Sequence, residues 1–254
     1  MKKVFLLTIL VLSCAFVSYA QKTFEPQVFR TKDGYELNCR VLEPEHIRPH
    51  KKYPLVIFLH GMGERGNDNC KQLVHGSQMF LNPVNKEKYP AYVIFPQCPE
   101  DKMWAYSSYP LDLENLQEDE ITEPMKAVKE LIDTYIKNPS VDPSRIYIMG
   151  LSMGAIGTYD IAARFPGLFA AAVPICGAAN PDRLKAANKI YWRIFHGDAD
   201  KVVPVKCSRS TYKALKEAKA DVEYIEFPGC GHESWNPAFC MPDFMKWIFS
   251  KRRR

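Results

Sequence analysis

Short apolar runs rich in β-branched and aromatic residues alternate along the chain with longer segments whose apolar residues recur at helical spacing. This alternation predicts an α/β fold in which a mostly parallel sheet carries helices on both faces. Two of the runs are almost wholly apolar, as expected of central strands that are buried on both sides. The pattern predicts eight strands: Gln27–Thr31, Tyr35–Leu42, Leu55–His60, Tyr92–Pro96, Ile146–Met149, Ala170–Ile175, Ile190–His196 and Val222–Phe227.

Helices are predicted between these strands. Met125, Val128, Leu131, Ile132 and Tyr135 share one face of a helix over residues 122–138, and residues 155–165, 205–220 and 242–250 are further helical segments. Asp33-Gly34 separates the first two strands and is a hairpin signal, so the sheet is expected to begin with an antiparallel edge. Residues 61–88 and 97–120 show no regular pattern, and long loops in a compact domain are often functional.

The first twenty residues resemble a secretory signal peptide. Two lysines precede the apolar stretch Val4 to Val17, and Ser18-Tyr19-Ala20 is a small-residue cleavage site. We therefore expect an exported protein that begins at Gln21 and forms a single domain over residues 21–254. An uncleaved anchor is the alternative, but the stretch is shorter than the roughly 20 residues of a membrane-spanning helix. Cys14 also loosely matches a lipoprotein box, in which case the same protein would be lipid-anchored.

The net charge gives no sign of a nucleic-acid partner. Six positive charges lie in the leader, at Lys2 and Lys3, and in the tail at residues 251–254, so the formal charge of +5 falls to −1 for the rest of the chain. Nucleic-acid binders carry basic residues across a whole face. The expected partner is thus a small molecule, and the composition leaves the oligomeric state open.

Seven cysteines follow Cys14, and an odd number in an exported chain leaves at least one thiol unpaired or paired between chains. Cys230 and Cys240 are near enough in sequence for a local disulfide. No pair or cluster of cysteines and histidines has the spacing of a zinc site, so we predict no metal. The seven are Cys39, Cys70, Cys98, Cys176, Cys207, Cys230 and Cys240.

A single serine stands out chemically. Gly150-Leu151-Ser152-Met153-Gly154 is a G-x-S-x-G sequence that lies between a predicted strand and a predicted helix. In that position the motif forms a nucleophile elbow, a sharp turn that lifts the hydroxyl above the sheet while the glycines leave room for close backbone approach. We therefore predict that Ser152 is a catalytic nucleophile.

A serine nucleophile needs a histidine base and an acid that orients it, in the chain order serine, acid, histidine. Asp198 and Asp200 follow the seventh strand, and His232 follows the eighth. Parallel strands present their carboxyl ends at one edge of a sheet, so these loops are expected to meet Ser152. We predict Asp200 as the acid and His232 as the base. Asp198 remains the alternative acid.

Acyl transfer also needs donors for the negative charge that develops on the carbonyl oxygen. The backbone N–H of Met153, directly after the nucleophile, is one predicted donor. The loop after the third strand, "HGMGERG", supplies the other from Met62. His60, at the start of this loop, is predicted to be structural. The complete set needs no cofactor.

These motifs carry a family resemblance. The segments "LHGMGERG", "PQCPE", "DPSRIYIMGLSMGA", "HGDADKVVP" and "GCGHESWNPAF" resemble compact bacterial α/β-hydrolases of the esterase group. That group includes predicted peptidases, phospholipase/carboxylesterases and dienelactone-hydrolase-like proteins, and it lies near the feruloyl and acetylxylan esterases. The resemblance implies an eight-stranded α/β-hydrolase sheet without a large cap domain. One departure is Ala155, where such relatives usually carry a second glycine.

The substrate is predicted from the loops. Trp104, Tyr106 and Tyr109 on one loop and Trp235 beside the base would suit a sugar or a phenolic acyl group, or they could simply pack the loops. Glu64 and Arg65 could hold a polar substrate group or form a salt bridge. We expect Cys176 to line the floor of the site.

Export and the resemblance together favour an esterase that acts on feruloyl or acetyl esters of plant polysaccharide or its fragments. A general short-chain carboxylesterase and a small serine peptidase are the alternatives within the enzymes. A noncatalytic binding module on the same scaffold is the alternative outside them, and the complete set of catalytic residue types argues against it.

Overall fold

The computed structural model describes residues 23–107 and 120–254. The predicted leader with Cys14, and Tyr109 of the predicted aromatic wall, lie outside these residues. In the part of the chain that is described, no helix combines the length and the apolar character needed to cross a bilayer.

The core of the molecule is one eight-stranded sheet, as the alternating pattern predicts. Its spatial order is β1-β2-β4-β3-β5-β6-β7-β8, with β1, β2 and β4 paired antiparallel and all other neighbours parallel. The strands are β1 Glu25–Arg30, β2 Glu36–Leu42, β3 Tyr53–Leu59, β4 Tyr92–Pro96, β5 Val141–Leu151, β6 Ala171–Ile175, β7 Tyr191–Gly197 and β8 Asp221–Phe227.

The predicted hairpin forms the antiparallel edge. Gly34 adopts φ of 90°, which glycine reaches at no steric cost, and its N–H donates to the Thr31 carbonyl at 3.1 Å. The central strand β5 is longer than predicted. It begins at Val141 because that residue pairs with Tyr53, after which a register shift continues the ladder from Leu55 opposite Ile146.

Helices cover both faces of the sheet. They are α1 Ser77–Leu81, α2 Pro83–Lys88, α3 Glu123–Ile136, α4 Met153–Arg164, α5 Lys206–Glu217, α6 Trp235–Phe239 and α7 Phe244–Phe249. The four predicted helices correspond to α3, α4, α5 and α7. Helices α1 and α2 lie in a stretch predicted to be irregular, because five or six residues are too few to show a periodic pattern.

The apolar residues of the sheet form two clusters, one on each face. Helices α3, α4 and α5 pack on the first face with side chains such as Leu131, Tyr159 and Leu215. Helices α1, α6 and α7 pack on the other with Phe80, Ala238 and Trp247 among their contacts. Because both faces are covered, only the strand ends and the loops that follow them are open to a ligand.

The two motif glycines allow α4 to approach the sheet at backbone distance. A Cβ atom at Gly154 would lie 2.0 Å from the carbonyl oxygen of Leu59 at the end of β3. A Cβ atom at Gly150 would lie 2.4 Å from the Gly154 carbonyl oxygen. No side chain fits at either place, so the chain between β5 and α4 must turn sharply and its middle residue, Ser152, is pushed outward.

The predicted disulfide between Cys230 and Cys240 is wrong, since all seven described cysteines are free thiols. The Cys230 backbone is held against the loop after β7, where its carbonyl accepts the Ala199 N–H at 3.0 Å. Cys240 is exposed at the end of α6. The turn and helix between the two residues therefore do not act as a disulfide-closed loop.

The backbone contact at Gly154 predicts a large effect on stability. In Gly154→Ala the new methyl group must displace the β3 backbone, so we expect the free energy of unfolding to fall by about 2 to 4 kcal/mol. Urea unfolding followed by circular dichroism measures it. Gly167→Ala is the matched control, because a Cβ there meets nothing within 4 Å. Equal unfolding midpoints for the two variants would contradict the close approach described above.

Candidate active site

Ser152 occupies the turn between β5 and α4. Its backbone has φ of 52° and ψ of −120°, a conformation that non-glycine residues rarely adopt. Such a conformation costs of order 1 to 3 kcal/mol and persists only where the surroundings enforce it. The enforcing contacts are the glycine approach to β3 and the bond from the Ser152 N–H to the Ile175 carbonyl at 2.9 Å. The side chain is consequently held above the sheet edge.

A chain of hydrogen bonds connects the three predicted catalytic side chains. The Nε2 atom of His232, on the loop after β8, lies 2.8 Å from the Ser152 hydroxyl oxygen. Its Nδ1 atom lies 2.7 Å from Oδ2 of Asp200, on the loop after β7. The carboxylate can only accept, so Nδ1 carries a proton and Nε2 is left to accept the serine proton. Three residues far apart in the sequence thus meet at one edge of the sheet.

Asp200 is buried and surrounded by donors. Its Oδ1 accepts the Val202 and Val203 N–H groups at 2.8 and 2.9 Å, while Oδ2 faces His232 and, at 3.2 Å, Nε2 of His196. Burial alone would raise the pKa of this carboxyl, but the bonds from the two histidines and the two N–H groups hold it well below its usual range. The group is therefore a carboxylate at any ordinary pH.

Asp198, the alternative acid, lies elsewhere. It is exposed, and its Oδ1 accepts the Gly229 N–H at 2.6 Å, which ties the loop after β7 to the loop after β8. The structure thus brings Asp200, and not Asp198, against the predicted base. Asp198 has instead the turn-stabilising contact that is common for an aspartate near a strand end.

His196 contacts the predicted acid and was not identified from the sequence. This fully buried residue of β7 places Nε2 at 2.9 Å from the Val203 carbonyl and Nδ1 at 2.6 Å from the Ser208 hydroxyl. A carbonyl only accepts, so Nε2 is protonated and can also point toward Asp200. The only sequence signal was a histidine four residues before the acid, at the end of an otherwise apolar strand.

The two predicted oxyanion donors flank the serine. Met153 is the first residue of α4, and Met62 begins a short 3-10 turn over Met62–Glu64. The first N–H groups of a helix have no partner within it. Neither N–H donates to a protein acceptor within residues 23–107 and 120–254. Both are available to a ligand oxygen beside Ser152.

His60 anchors the Met62 loop. Its ring is buried, Nε2 accepts the Cys98 N–H at 2.9 Å, and Nδ1 donates to the Gly61 carbonyl at 2.6 Å. Burial lowers the pKa of His60 to about 4. The imidazole is therefore neutral and structural, in agreement with the sequence prediction.

A cavity of about 660 Å³ opens beside the serine. Ser152, Met62, Met153 and His232 line it, so the predicted nucleophile, the predicted base and both predicted donors face one space. Most of the remaining wall is apolar, with side chains from two loops, from the end of β5 and from α4: Met103, Val202, Val203, Leu151 and Ile156. A ligand volume of this order is typical of a small-molecule site.

The four predicted substrate residues divide into two pairs. Glu64 and Trp235 line the cavity, and the Trp235 ring meets the His232 ring edge to face, with centroids 5.6 Å apart. Trp104 does not line it, so its prediction as a wall residue is wrong. It is fully buried, and its indole N–H donates to the His60 carbonyl at 3.1 Å.

Arg65 also lies outside the cavity lining. Its guanidinium donates to the backbone carbonyls of Met62 and Lys102 at 3.1 and 3.2 Å. These bonds occupy the side chain, so the prediction that it holds a substrate group is wrong. Arg65 instead braces the loop that carries Met62.

Cys176 is fully buried beside the predicted triad and is not among the residues that line the cavity, so the prediction that it lines the floor of the site is wrong. Its thiol, an Asp200 oxygen and a His232 nitrogen lie within 4.8 Å of one another, and they are the one such group of potential metal ligands among the described residues. Asp200 and His232 already bond to each other, and burial raises the pKa of the Cys176 thiol. A metal would need the thiolate, so we assign no metal to these residues.

Comparison with known proteins places this geometry in a family. The model of the phospholipase/carboxylesterase family matches residues 43–248. Among solved structures, a thermostable esterase superposes with a TM-score of 0.83 at 36% identity, over 91% of this chain and 63% of that one.

Two of the proteins that match in sequence are named as enzymes. Carboxylesterase SOBER1 of Arabidopsis thaliana is 26% identical over 71% of this chain and 84% of its own length. Poly(3-hydroxyalkanoate) depolymerase C of Paucimonas lemoignei is 31% identical over a segment that makes up 49% of this chain and 28% of the depolymerase. The α/β-hydrolase sheet, the serine elbow and the family match together show that this chain belongs to the phospholipase/carboxylesterase family.

Proposed function

We propose that this protein is a serine hydrolase that cleaves carboxylic esters through an acyl-enzyme. The hydrogen-bonded series Ser152, His232, Asp200 carries the proposal, because it ends on a hydroxyl that faces the cavity. A serine hydroxyl is a weak nucleophile until a base removes its proton, and this arrangement supplies the base and orients it.

The proposed reaction has two halves. Nε2 of His232 takes the Ser152 proton as Oγ attacks the ester carbonyl. The oxyanion that forms accepts hydrogen bonds from the N–H groups of Met62 and Met153. The same imidazole then protonates the leaving alcohol, which departs and leaves an acyl group on the serine. Water enters, gives its proton to His232, and releases the acid as Ser152 regains its hydrogen.

Asp200 stabilises the imidazolium that forms during each half. Because four donors hold its pKa below the usual range, it stays ionised and does not take the proton from His232. Those donors also prevent the carboxylate from rotating, so the ring of His232 keeps the tautomer that accepts from serine.

The size and lining of the cavity support a substrate larger than an acetyl ester. We propose acylated carbohydrate as the substrate class, with feruloyl or acetyl groups on a polysaccharide or its fragments. The apolar wall formed by residues such as Ile156 and Val203 suits an acyl chain or a phenolic ring. Export, which rests on the leader pattern in residues 1–20, would bring the enzyme to such polymers.

Loss of the nucleophile is expected to remove activity. Ser152→Ala should lower kcat for p-nitrophenyl butyrate by at least about 10⁴-fold, because no group replaces the hydroxyl. Ser210→Ala, on a partly exposed face of α5, is the matched control and should behave as wild type. Unchanged turnover by a folded Ser152→Ala protein would point to a noncatalytic binding module.

The two aspartates provide a second test. Asp200→Asn should lower kcat by about 10³- to 10⁴-fold with the fold intact, since an amide does not hold His232 in the accepting tautomer. Asp198→Asn should retain most activity, because Asp198 does not contact the base. The assignment of the acid is wrong if Asp198→Asn shows the larger loss in steady-state kinetics.

A substrate panel tests the ester class. We expect the wild-type protein to cleave p-nitrophenyl butyrate and methyl ferulate with higher kcat/KM than p-nitrophenyl acetate, because the larger acyl groups fill more of the apolar cavity. Acetylated xylan tests the polymer, and a peptide amide tests the peptidase alternative. Cleavage of the peptide alone would overturn the esterase proposal.

A further inference from the structure

One polar group on the cavity wall has no hydrogen-bond donor. The Glu64 side chain is 14% exposed and lines the cavity, yet no donor lies within hydrogen-bonding distance of its carboxylate in the described part of the chain. The nearest ring nitrogen there is Nε2 of His75, which is 3.7 Å from Oε1. That separation is too long for a hydrogen bond.

This carboxylate is close to the reacting serine. The position that a Cβ atom would take at Gly61 is 3.0 Å from Oε2 of Glu64 and 3.7 Å from Cβ of Ser152. Both groups therefore meet the same corner of the cavity. A substrate bound for attack by Ser152 therefore occupies the cavity that Glu64 also lines.

An unpaired carboxylate is costly in this place. Its partial removal from water is not compensated by a hydrogen bond from any residue that the structure describes. It also stands near the oxygen on which negative charge develops during acyl transfer, where a second negative charge opposes catalysis. A donor on the substrate would satisfy the carboxylate and reduce both effects.

The surrounding wall distinguishes between the possible donors. The cavity is mostly apolar, and an ammonium group loses far more hydration free energy than a hydroxyl when it enters such a space. His75 adds a ring nitrogen beside the carboxylate, and its ring packs on Trp235 with centroids 5.1 Å apart. Glu64 and His75 thus form a polar part of a cavity wall that is otherwise mostly apolar.

We propose that Glu64 is a specificity-determining residue that accepts a hydrogen bond from a free hydroxyl group of the substrate near the scissile ester. Both acylated sugars, with the hydroxyl on the alcohol side, and hydroxyacyl esters, with the hydroxyl on the acid side, provide this chemistry. The inference rests on the proposed ester hydrolysis and adds a requirement for the substrate.

Matched pairs of esters test it. Ethyl 3-hydroxybutyrate against ethyl butyrate places the hydroxyl on the acyl side, and 2-hydroxyethyl butyrate against propyl butyrate places it on the alcohol side. The readout is the ratio of kcat/KM within each pair. For one of the two pairs we expect wild type to favour the hydroxylated ester, and Glu64→Leu to reduce that ratio by roughly 10- to 100-fold, as a lost hydrogen bond to a charged group would.

Two further variants complete the experiment. Glu64→Gln keeps an acceptor without the charge and should retain part of the preference. Glu217→Gln, at the exposed end of α5, is the control and should leave both rates and both ratios at the wild-type level.

Three outcomes would overturn the inference. One is an equal ratio in wild type and Glu64→Leu for both pairs, and another is the absence of any hydroxyl preference in wild type. The third is a stronger preference for ethyl 3-aminobutyrate, which would assign Glu64 to a cation. If wild type cleaves none of these esters, the proposed function fails instead, so the two failures are distinct.

Discussion

The start of helix α4 lies directly against the end of strand β3, at the distance of one backbone from another. The carbonyl of Leu59 occupies the space that any side chain at residue 154 would need. This contact leaves the chain between β5 and α4 no relaxed path, and Ser152 absorbs the constraint in its positive φ. The position of Ser152, the proposed nucleophile, is therefore a consequence of packing in the fold. The cost of the strained residue is small beside the burial of the α4 helix that enforces it.

A second constraint acts below the base. Asp200 is removed from water, which by itself would favour a neutral acid, and the loop after β7 reverses that tendency with two backbone donors. His196 adds a donor from within the sheet and is itself fixed by Ser208 on α5. The orientation of His232 thus depends on contacts that extend from the cavity to the far side of a strand. His232, Val202 and Val203 line the cavity, whereas Asp200, His196 and Ser208 do not.

The sheet and the three central side chains could be predicted because each has a local signal. Apolar runs mark the strands, glycine spacing marks the elbow, and parallel topology brings the strand ends together. Trp104 and Arg65 could not be placed in this way. The sequence around a tryptophan or arginine in a loop is the same whether its side chain packs inward or faces a ligand. His196 was missed for a related reason. Its partners lie four or more residues away in sequence, and their contact depends on how α5 packs on β7.

The loop after β3 carries two groups to which we assign different roles, one in catalysis and one in substrate recognition. It carries the Met62 N–H, the proposed oxyanion donor, and the Glu64 carboxylate, and both residues line the cavity. Its position is held from outside the cavity, where Gly66 donates to the Cys98 carbonyl at 3.0 Å and Gln97 donates to the Glu64 carbonyl at 3.3 Å. These two hydrogen bonds anchor the segment that carries both the Glu64 carboxylate and the Met62 N–H. Under the proposal, a substrate that offers Glu64 no donor brings the developing oxyanion near an uncompensated negative charge. Under the proposed function, substrate recognition by Glu64 and the rate of acyl transfer therefore depend on the same short segment of this chain.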